Sequence, residues 1–289
     1  MDSHAAVTKS MTEKPMFFQN GVCRLFGLVH EPVGVPSGEA WLFCHPFIEE
    51  KLWAHRVYVS FARILAARGA WVLRFDMMGN GDSEGRFSDI SVDTMLADID
   101  CALNCLGRLS GAAHHANLLG LRLGGTLAAL TAERSSKVGK LILWDPVVDG
   151  AKYMQELLRS NLTTQSAVYK EIRYNRETLV RMMREGSTVN IDGYELAYPC
   201  YEQVSAINLK EGPKRFAGRC LIVQIGKEGQ PIQPDLKALQ ETYQAATLRT
   251  AVEEPFWKEI KRWYRAAPSL FETTLGWMQH DERSVSCNV

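Results

Sequence analysis

Asn117-Leu-Leu-Gly-Leu-Arg122-Leu-Gly-Gly125 is the stretch on which the reading of the whole chain turns. Its opening residues form a short apolar run, its glycines bound a sharp turn, and a helix is predicted from Leu123 to about Arg134. A buried strand that feeds a helix through so tight a turn is the unit of a parallel sheet covered by helices. The apex of the turn is Arg122, a permanently charged residue.

The same rhythm extends outward in both directions. Trp41-Leu-Phe-Cys44 is a continuous apolar strand, followed by a helix from about Trp53 to Arg68 with Val57, Phe61, Ile64 and Leu65 on one face. Trp71-Val-Leu-Arg-Phe-Asp76 is the next strand, and its helix carries Val92, Met95, Leu96, Ile99, Leu103 and Leu106 at helical spacing. Lys140-Leu-Ile-Leu-Trp-Asp145 follows the helix of the elbow. Before all of these, Gln19-Asn20-Gly21 separates two apolar runs and predicts a hairpin.

From about residue 150 to 212 the rhythm breaks. The sequence there is helical, charged and aromatic-rich, without a buried-strand pattern, and reads as a helical cap inserted after the sixth strand. The alternation resumes at Cys220-Leu-Ile-Val-Gln-Ile225, with a helix near Pro234 to Gln244, a weak strand at Ala246 to Glu253 and a closing helix at Pro268 to Gln279. The expected architecture is therefore an α/β fold, with a mostly parallel central sheet, helices on both faces and a cap. Residues 16–149 and 213–280 form its core, and 1–15 and 281–289 are loose tails. The cap would lie over the carboxyl ends of the strands, where open sheets bind ligands.

Composition narrows the function classes. Of 289 residues, 46% are hydrophobic and 23% charged, and 33 basic residues balance 33 acidic ones. That balance gives no electrostatic case for a nucleic-acid partner. No run approaches the roughly 18–20 apolar residues that span a bilayer, and Met1 to Pro15 lacks the apolar core of a signal peptide. Seven cysteines without a paired framework point to the reducing cytoplasm. Cys101 and Cys105 lie four apart on a helix with no histidine or carboxylate cluster to complete a metal site, so neither a metal nor an organic cofactor is expected.

Gly120-Leu-Arg122-Leu-Gly124 has the spacing of the G-x-S-x-G nucleophile elbow of the α/β-hydrolases, with arginine in place of serine. A working elbow also needs a histidine base and an orienting acid. The loop after the seventh strand, Gly226-Lys-Glu-Gly-Gln-Pro231, offers Glu228 with glycine at the expected spacing. The loop after the last strand, Glu253-Glu-Pro-Phe-Trp257, contains no histidine; the next one is His280. Glu228 and Glu254 are thus the relics of the acid and base loops. Cys44-His45-Pro46-Phe47 follows the third strand, where such folds place an oxyanion donor, and Glu49, Glu50, Lys51 and Arg56 come just after. His45, Glu49 and Glu50 are the proton-transfer candidates, set against a bland reading as loop and helix-start charges. Arg122, Leu123 and Phe47 are the substrate-binding candidates. Asp76 and Ser83, in Asp76-Met-Met-Gly-Asn-Gly-Asp-Ser83, read as structural, and Asp145-Pro146 as turn chemistry.

Arginine at the start of a helix adds a guanidinium to amides and a dipole that already favour anions. The alternative is an internal ion pair with Glu49, Glu50 or Glu254, since a buried arginine needs a partner. The two coexist if a ligand displaces the glutamate. On either reading Arg122 faces the pocket beneath the cap, near Glu49 or Glu50.

Taken together, His45-Pro-Phe-Ile-Glu-Glu-Lys51, Phe75-Asp-Met-Met-Gly-Asn-Gly-Asp-Ser83, the arginine elbow, Glu254-Pro-Phe-Trp257 and Leu270-Phe-Glu-Thr-Thr-Leu-Gly-Trp277 resemble the exosortase A system-associated hydrolases of the second type. The resemblance runs from about Phe17 to Trp277. It implies a bacterial cytoplasmic protein linked to sorting of tagged proteins and to exopolysaccharide production. Three functional readings stand open. One is an atypical hydrolase or transferase without a Ser-His-Asp triad, using Arg122 to anchor an anionic or acyl-type ligand. Another is a catalytically silent fold that binds an anionic metabolite or a partner protein. The last is a serine esterase or thioesterase with a displaced triad. Tyr153, Met154, Tyr169, Tyr174, Met182 and Met183 read chiefly as packing, with a lipidic or homo-oligomeric contact as the lesser reading.

Overall fold

The computed structural model describes residues 12–21, 23–111, 115–169, 174–212, 214–258 and 264–285, and for 161–169 and 280–285 the backbone alone. Strands β1 (Glu13–Asn20) and β2 (Cys23–His30) form the predicted hairpin, with Asn20 paired to Cys23. The chain then alternates β3 (Ala40–Cys44), α1 (Glu49–Ala67), β4 (Trp71–Phe75), α2 (Val92–Ser110), β5 (Ala116–Leu121), α3 (Leu123–Arg134) and β6 (Val138–Trp144). After an intervening segment come β9 (Arg219–Gly226), α7 (Pro234–Thr242), β10 (Ala246–Val252) and α8 (Pro268–Val285). These strands form one sheet in the order β1-β2-β4-β3-β5-β6-β9-β10. The β1–β2 and β2–β4 pairings are antiparallel and the rest are parallel.

Alternation along the central strands builds two cores. In β6, Leu141 and Leu143 face one side, packed with Met95, Leu127 and other residues of α2 and α3. Ile142 and Trp144 face the other, where Phe61 of α1 and Phe271 of α8 stack around the indole. A strand buried on both faces has no polar side to give away, so it reads as an unbroken apolar run. The apolar stripe of α2 is buried as its spacing predicts, and Ser91 and Thr94 close a capping box at its start.

Several boundaries differ from expectation, and α1 begins at Glu49, a turn before Trp53. Glu13–Pro15 is part of β1 rather than of a loose tail: Glu13 pairs with His30 in the ladder, and its carboxylate takes two hydrogen bonds from Arg63. His280 falls within the long closing helix α8 rather than beyond it.

The segment between β6 and β9 is not wholly helical. Besides α4 (Gly150–Tyr169), α5 (Arg176–Arg184) and α6 (Tyr198–Ser205), it contains a hairpin of β7 (Val189–Ile191) and β8 (Tyr194–Leu196). Asp192 and Gly193 turn it, both at positive φ (50° and 94°), which is the backbone that an Asp-Gly pair favours. Strands of three residues are too short to show a period-2 pattern, so the dipeptide was the only sequence signal for them.

The elbow depends on close backbone approach. A Cβ on Gly124 would overlap the carbonyl oxygens of Cys44 and His45, and one on Gly120 would overlap the backbone of Gly124. Gly124→Ala is expected to destabilise the protein by roughly 3 kcal/mol, the upper end of ordinary overpacking costs, measured by urea unfolding. An unchanged midpoint would show that α3 can move off β3 freely.

Candidate functional site

Arg122 sits at the apex of the elbow with φ 54° and ψ −126°, a conformation rare for a side-chain-bearing residue. Its amide donates to the Trp144 carbonyl at 3.0 Å, and its carbonyl accepts from Thr126. Held this way between β5 and α3, the side chain projects at the carboxyl edge of the sheet. Only 15% of it is exposed.

Four neighbouring elements converge on that guanidinium. Nε reaches Glu50 Oε1 of α1 at 3.3 Å, and Nη1 reaches Asp145 Oδ2, just past β6, at 3.3 Å. Tyr153 of α4 donates its hydroxyl to Glu50 Oε2 at 3.0 Å. The rings of Tyr153 and Trp257 lie 5.6 and 5.4 Å from the guanidinium carbon, within cation–π range. Trp257 follows β10, in the loop where a hydrolase would carry its histidine. The indole N–H of Trp257 is buried and has no acceptor among the described residues. Arg122, Glu50, Tyr153 and Trp257 line a cavity of about 410 Å³, together with Glu49, Glu156 and Lys258. Its other wall is α4 and the tip of the β7–β8 hairpin.

Two carboxylates share one cation here, and burial decides their protonation. Desolvation raises the Glu50 carboxyl above its ordinary value, with Arg122 and the Tyr153 hydroxyl pulling the other way. Burial raises Asp145 likewise, against the attraction of Arg122. For Arg122, burial acts to lower the pKa, but the two carboxylates outweigh it and hold the guanidinium firmly charged.

The other sequence candidates are distributed unevenly. Glu49 lines the same cavity. His45 does not join the cluster: its Nδ1 donates to the Pro46 carbonyl at 2.8 Å, and its Nε2 accepts from the Met77 amide at 3.4 Å. Burial, chiefly, with Lys51 adding, lowers its pKa to about 4 and keeps it neutral. Phe47 is in the core against Phe87 at 5.6 Å, and Leu123 is 1% exposed. Both line a small gap beside His45 rather than the Arg122 cavity. Glu228 is exposed in the loop after β9, and Glu254 is exposed too, its amide donating to the Tyr264 hydroxyl. Neither reaches Arg122. The buried Cys44 thiol is pushed far up by desolvation, which leaves no thiolate for attack. Asp76 accepts an ion pair from Lys51 at 2.6 Å and anchors the glycine loop after β4.

Sequence reasoning missed Asp145, Tyr153 and Trp257 as partners of the arginine. Asp145 had one usable signal: it ends a strand adjacent to the elbow strand, at the sheet edge where ligand-facing groups collect.

A family model described as serine aminopeptidase, S33, matches residues 41–192, from β3 through the elbow to the hairpin of the inserted segment. The chain belongs to this family of α/β-hydrolases. Solved structures agree at the level of fold. Est1E from Butyrivibrio proteoclasticus, with ferulic acid bound, superposes at a TM-score of 0.65 with 18% identity, covering 92% of this chain and 98% of that one. A proline iminopeptidase from Mycobacterium smegmatis gives 0.62 with 12% identity, covering 94% and 100%. A thioesterase domain from the curacin biosynthetic pathway gives 0.55 with 19% identity, covering 92% and 99%. No protein of curated function matches the sequence. Among the described residues, no helix of this α/β-hydrolase family member is long and apolar enough to cross a membrane.

A carboxyl whose folded pKa is raised contributes stability fully below its unfolded value and loses it as pH rises through the folded value. For Glu50 that loss begins near its ordinary value of 4.5. Glu50→Gln removes the titration, so the variant is expected to gain on wild type as pH rises above that point, by about 1.4 kcal/mol per unit of upward shift. Urea unfolding of both proteins from about pH 4 to about pH 9 checks this. A constant difference across the range would mean that Glu50 titrates normally.

Proposed function

We propose that this α/β-hydrolase is an atypical hydrolase or transferase of the exosortase A-associated type, working without a serine nucleophile on an anionic or acyl-type substrate in the cytoplasm. One observation carries the reading: a part-buried glutamate with a raised pKa is paired to an arginine, and both line a ligand-sized cavity. Glu50 is the proton-transfer group and Arg122 the anchor. The inserted segment, residues 150–212, acts as the cap of the site.

The ion pair gives the two roles a common cause. When Glu50 accepts a proton from an attacking water or an acceptor hydroxyl, its attraction for Arg122 falls. The guanidinium then turns its charge to the oxygen that becomes negative on the substrate carbonyl. The attacking oxygen bonds to the carbonyl carbon; the bond to the leaving oxygen then breaks as Glu50 returns the proton to it, and the carbonyl re-forms. Charge moves from one partner of Arg122 to another without leaving the guanidinium unpaired, which limits the electrostatic cost of the step. The indole N–H of Trp257, buried without an acceptor among the described residues, is a second donor that a ligand oxygen would satisfy.

The same argument covers a bound anion. Arg122 already faces two carboxylates, so an anionic ligand binds with uptake of a proton at Glu50. Calorimetric titration with a medium-chain fatty acid in buffers of different ionisation heat is expected to show about one proton taken up per ligand, with affinity falling as pH rises. Binding without proton uptake would remove Glu50 from the anchor.

Turnover is tested on a panel of aryl esters, acyl thioesters and lipid-linked phosphates. Glu50→Gln is expected to lower kcat by a factor of about 10²–10⁴, the range for a general base. The second reading, a silent binder, draws on Arg122 standing where the nucleophile belongs with carboxylates on two of its nitrogens. Saturable binding with no turnover would establish it. Labelling of the wild-type protein by a fluorophosphonate would instead place a reactive serine in the chain and establish the displaced-triad esterase.

A further inference from the structure

On the far side of α1 from Glu50, a separate cavity of about 420 Å³ lies between the helix and strands β2 and β4. Its size falls in the range of small-molecule sites. The key residue is Arg74 of β4, half-buried at the cavity wall. Its Nε donates to Nε2 of the fully buried His30 at 3.0 Å. His30 is a neutral partner: burial, with the charge of Arg74 adding, lowers its pKa to about 4. Arg74 therefore gains a hydrogen bond there but no countercharge.

The carboxylates nearby are committed elsewhere. Glu13 accepts two hydrogen bonds from Arg63, at 2.7 and 3.1 Å, and lies 3.2 Å from His30 Nδ1. Asp76 is paired with Lys51 at 2.6 Å and accepts the Asp82 amide. Burial lowers the Arg74 pKa to about 10, against the more distant pull of Glu13 and Asp76. Arg56, one turn further along α1, is exposed and lines the same cavity, and it has no ion pair among the described residues. With those pairs set aside, Arg74 and Arg56 face the cavity opposite one exposed carboxylate, Asp82. The remaining wall is mostly apolar, with Phe26, Leu28 and Phe75 from the sheet and Leu52, 60% exposed, at the rim, and the imidazoles of His45 and His55 complete it.

We propose that this cavity is a second ligand site, which takes a small molecule carrying an oxyanion, carboxylate or phosphate, on an aromatic or short acyl body. The oxyanion lies across the free nitrogens of Arg74, with Arg56 at the mouth, and the apolar body lies on Phe26, Leu28 and Phe75. A guanidinium matches either oxyanion through paired N–H donors. The site does not depend on the assignment of Glu50 and Arg122.

The test uses the full chain with phenyl phosphate and benzoate as probes, followed by calorimetry and by protein-observed NMR. Wild type is expected to bind at least one probe saturably, with shifts at Arg74, His55 and Leu52. Arg74→Gln should weaken binding at least tenfold, Arg56→Ala about threefold, and Arg122→Ser not at all. Phosphate-only or benzoate-only binding identifies which oxyanion the site takes. Arg56→Ala alters an exposed side chain, so it decides the question even if Arg74→Gln does not fold. Absence of binding to wild type, binding unaltered by Arg56→Ala in the folded protein, or binding abolished by Arg122→Ser would each overturn the proposal.

Discussion

A guanidinium taken out of water must find countercharge, and in this α/β-hydrolase fold that requirement organises the carboxyl edge of the sheet. Arg122 cannot be neutralised by its own strand or helix, so α1 contributes Glu50 and the end of β6 contributes Asp145. Tyr153 of α4 then fixes the second oxygen of Glu50, and Trp257 covers the guanidinium from the loop after β10. Segments far apart in sequence are thereby tied to one side chain. An unpaired charge in this position would cost several kcal/mol, so the arginine and its carboxylates stand or fall together.

The same pairing limits what chemistry the pocket can perform. An elbow with serine offers a nucleophile that a base can activate; with arginine it offers only a fixed positive charge. Two carboxylates around one cation leave an excess of negative charge in a desolvated space, and burial shifts that excess toward protonation. The fold is shared with Est1E, a proline iminopeptidase and a thioesterase domain, which shows how little the scaffold alone specifies.

Most of the fold was legible in the sequence because the central strands are buried on both faces. Leu141 to Trp144 and Cys220 to Val223 are apolar without interruption, and α2 carries its stripe at helical spacing. The β7–β8 hairpin was not legible, since three-residue strands have no period and only Asp192-Gly193 marked the turn. In the site, Arg122 and Glu50 were recognised because one departs from a motif and the other follows a strand end. His45 stood out equally, yet its two nitrogens serve the backbone of Pro46 and Met77. Whether a histidine faces a cavity or the main chain depends on ångström-scale packing that spacing does not encode. Asp145 escaped for the opposite reason: an Asp-Pro pair after a strand looks like a turn, and it is one, with the carboxylate put to a second use.

Helix α1 has a geometric consequence of its own. Glu50 looks into the cavity under α4, while Lys51, Leu52 and His55 look into the cavity over β2 and β4. Successive residues of a helix point about 100° apart, so a single turn serves as the partition between two compartments. Ile48, at φ 43° and ψ −129°, sets the angle at which that turn begins. The partition is one helix thick, so any rotation about its axis that widens one compartment narrows the other.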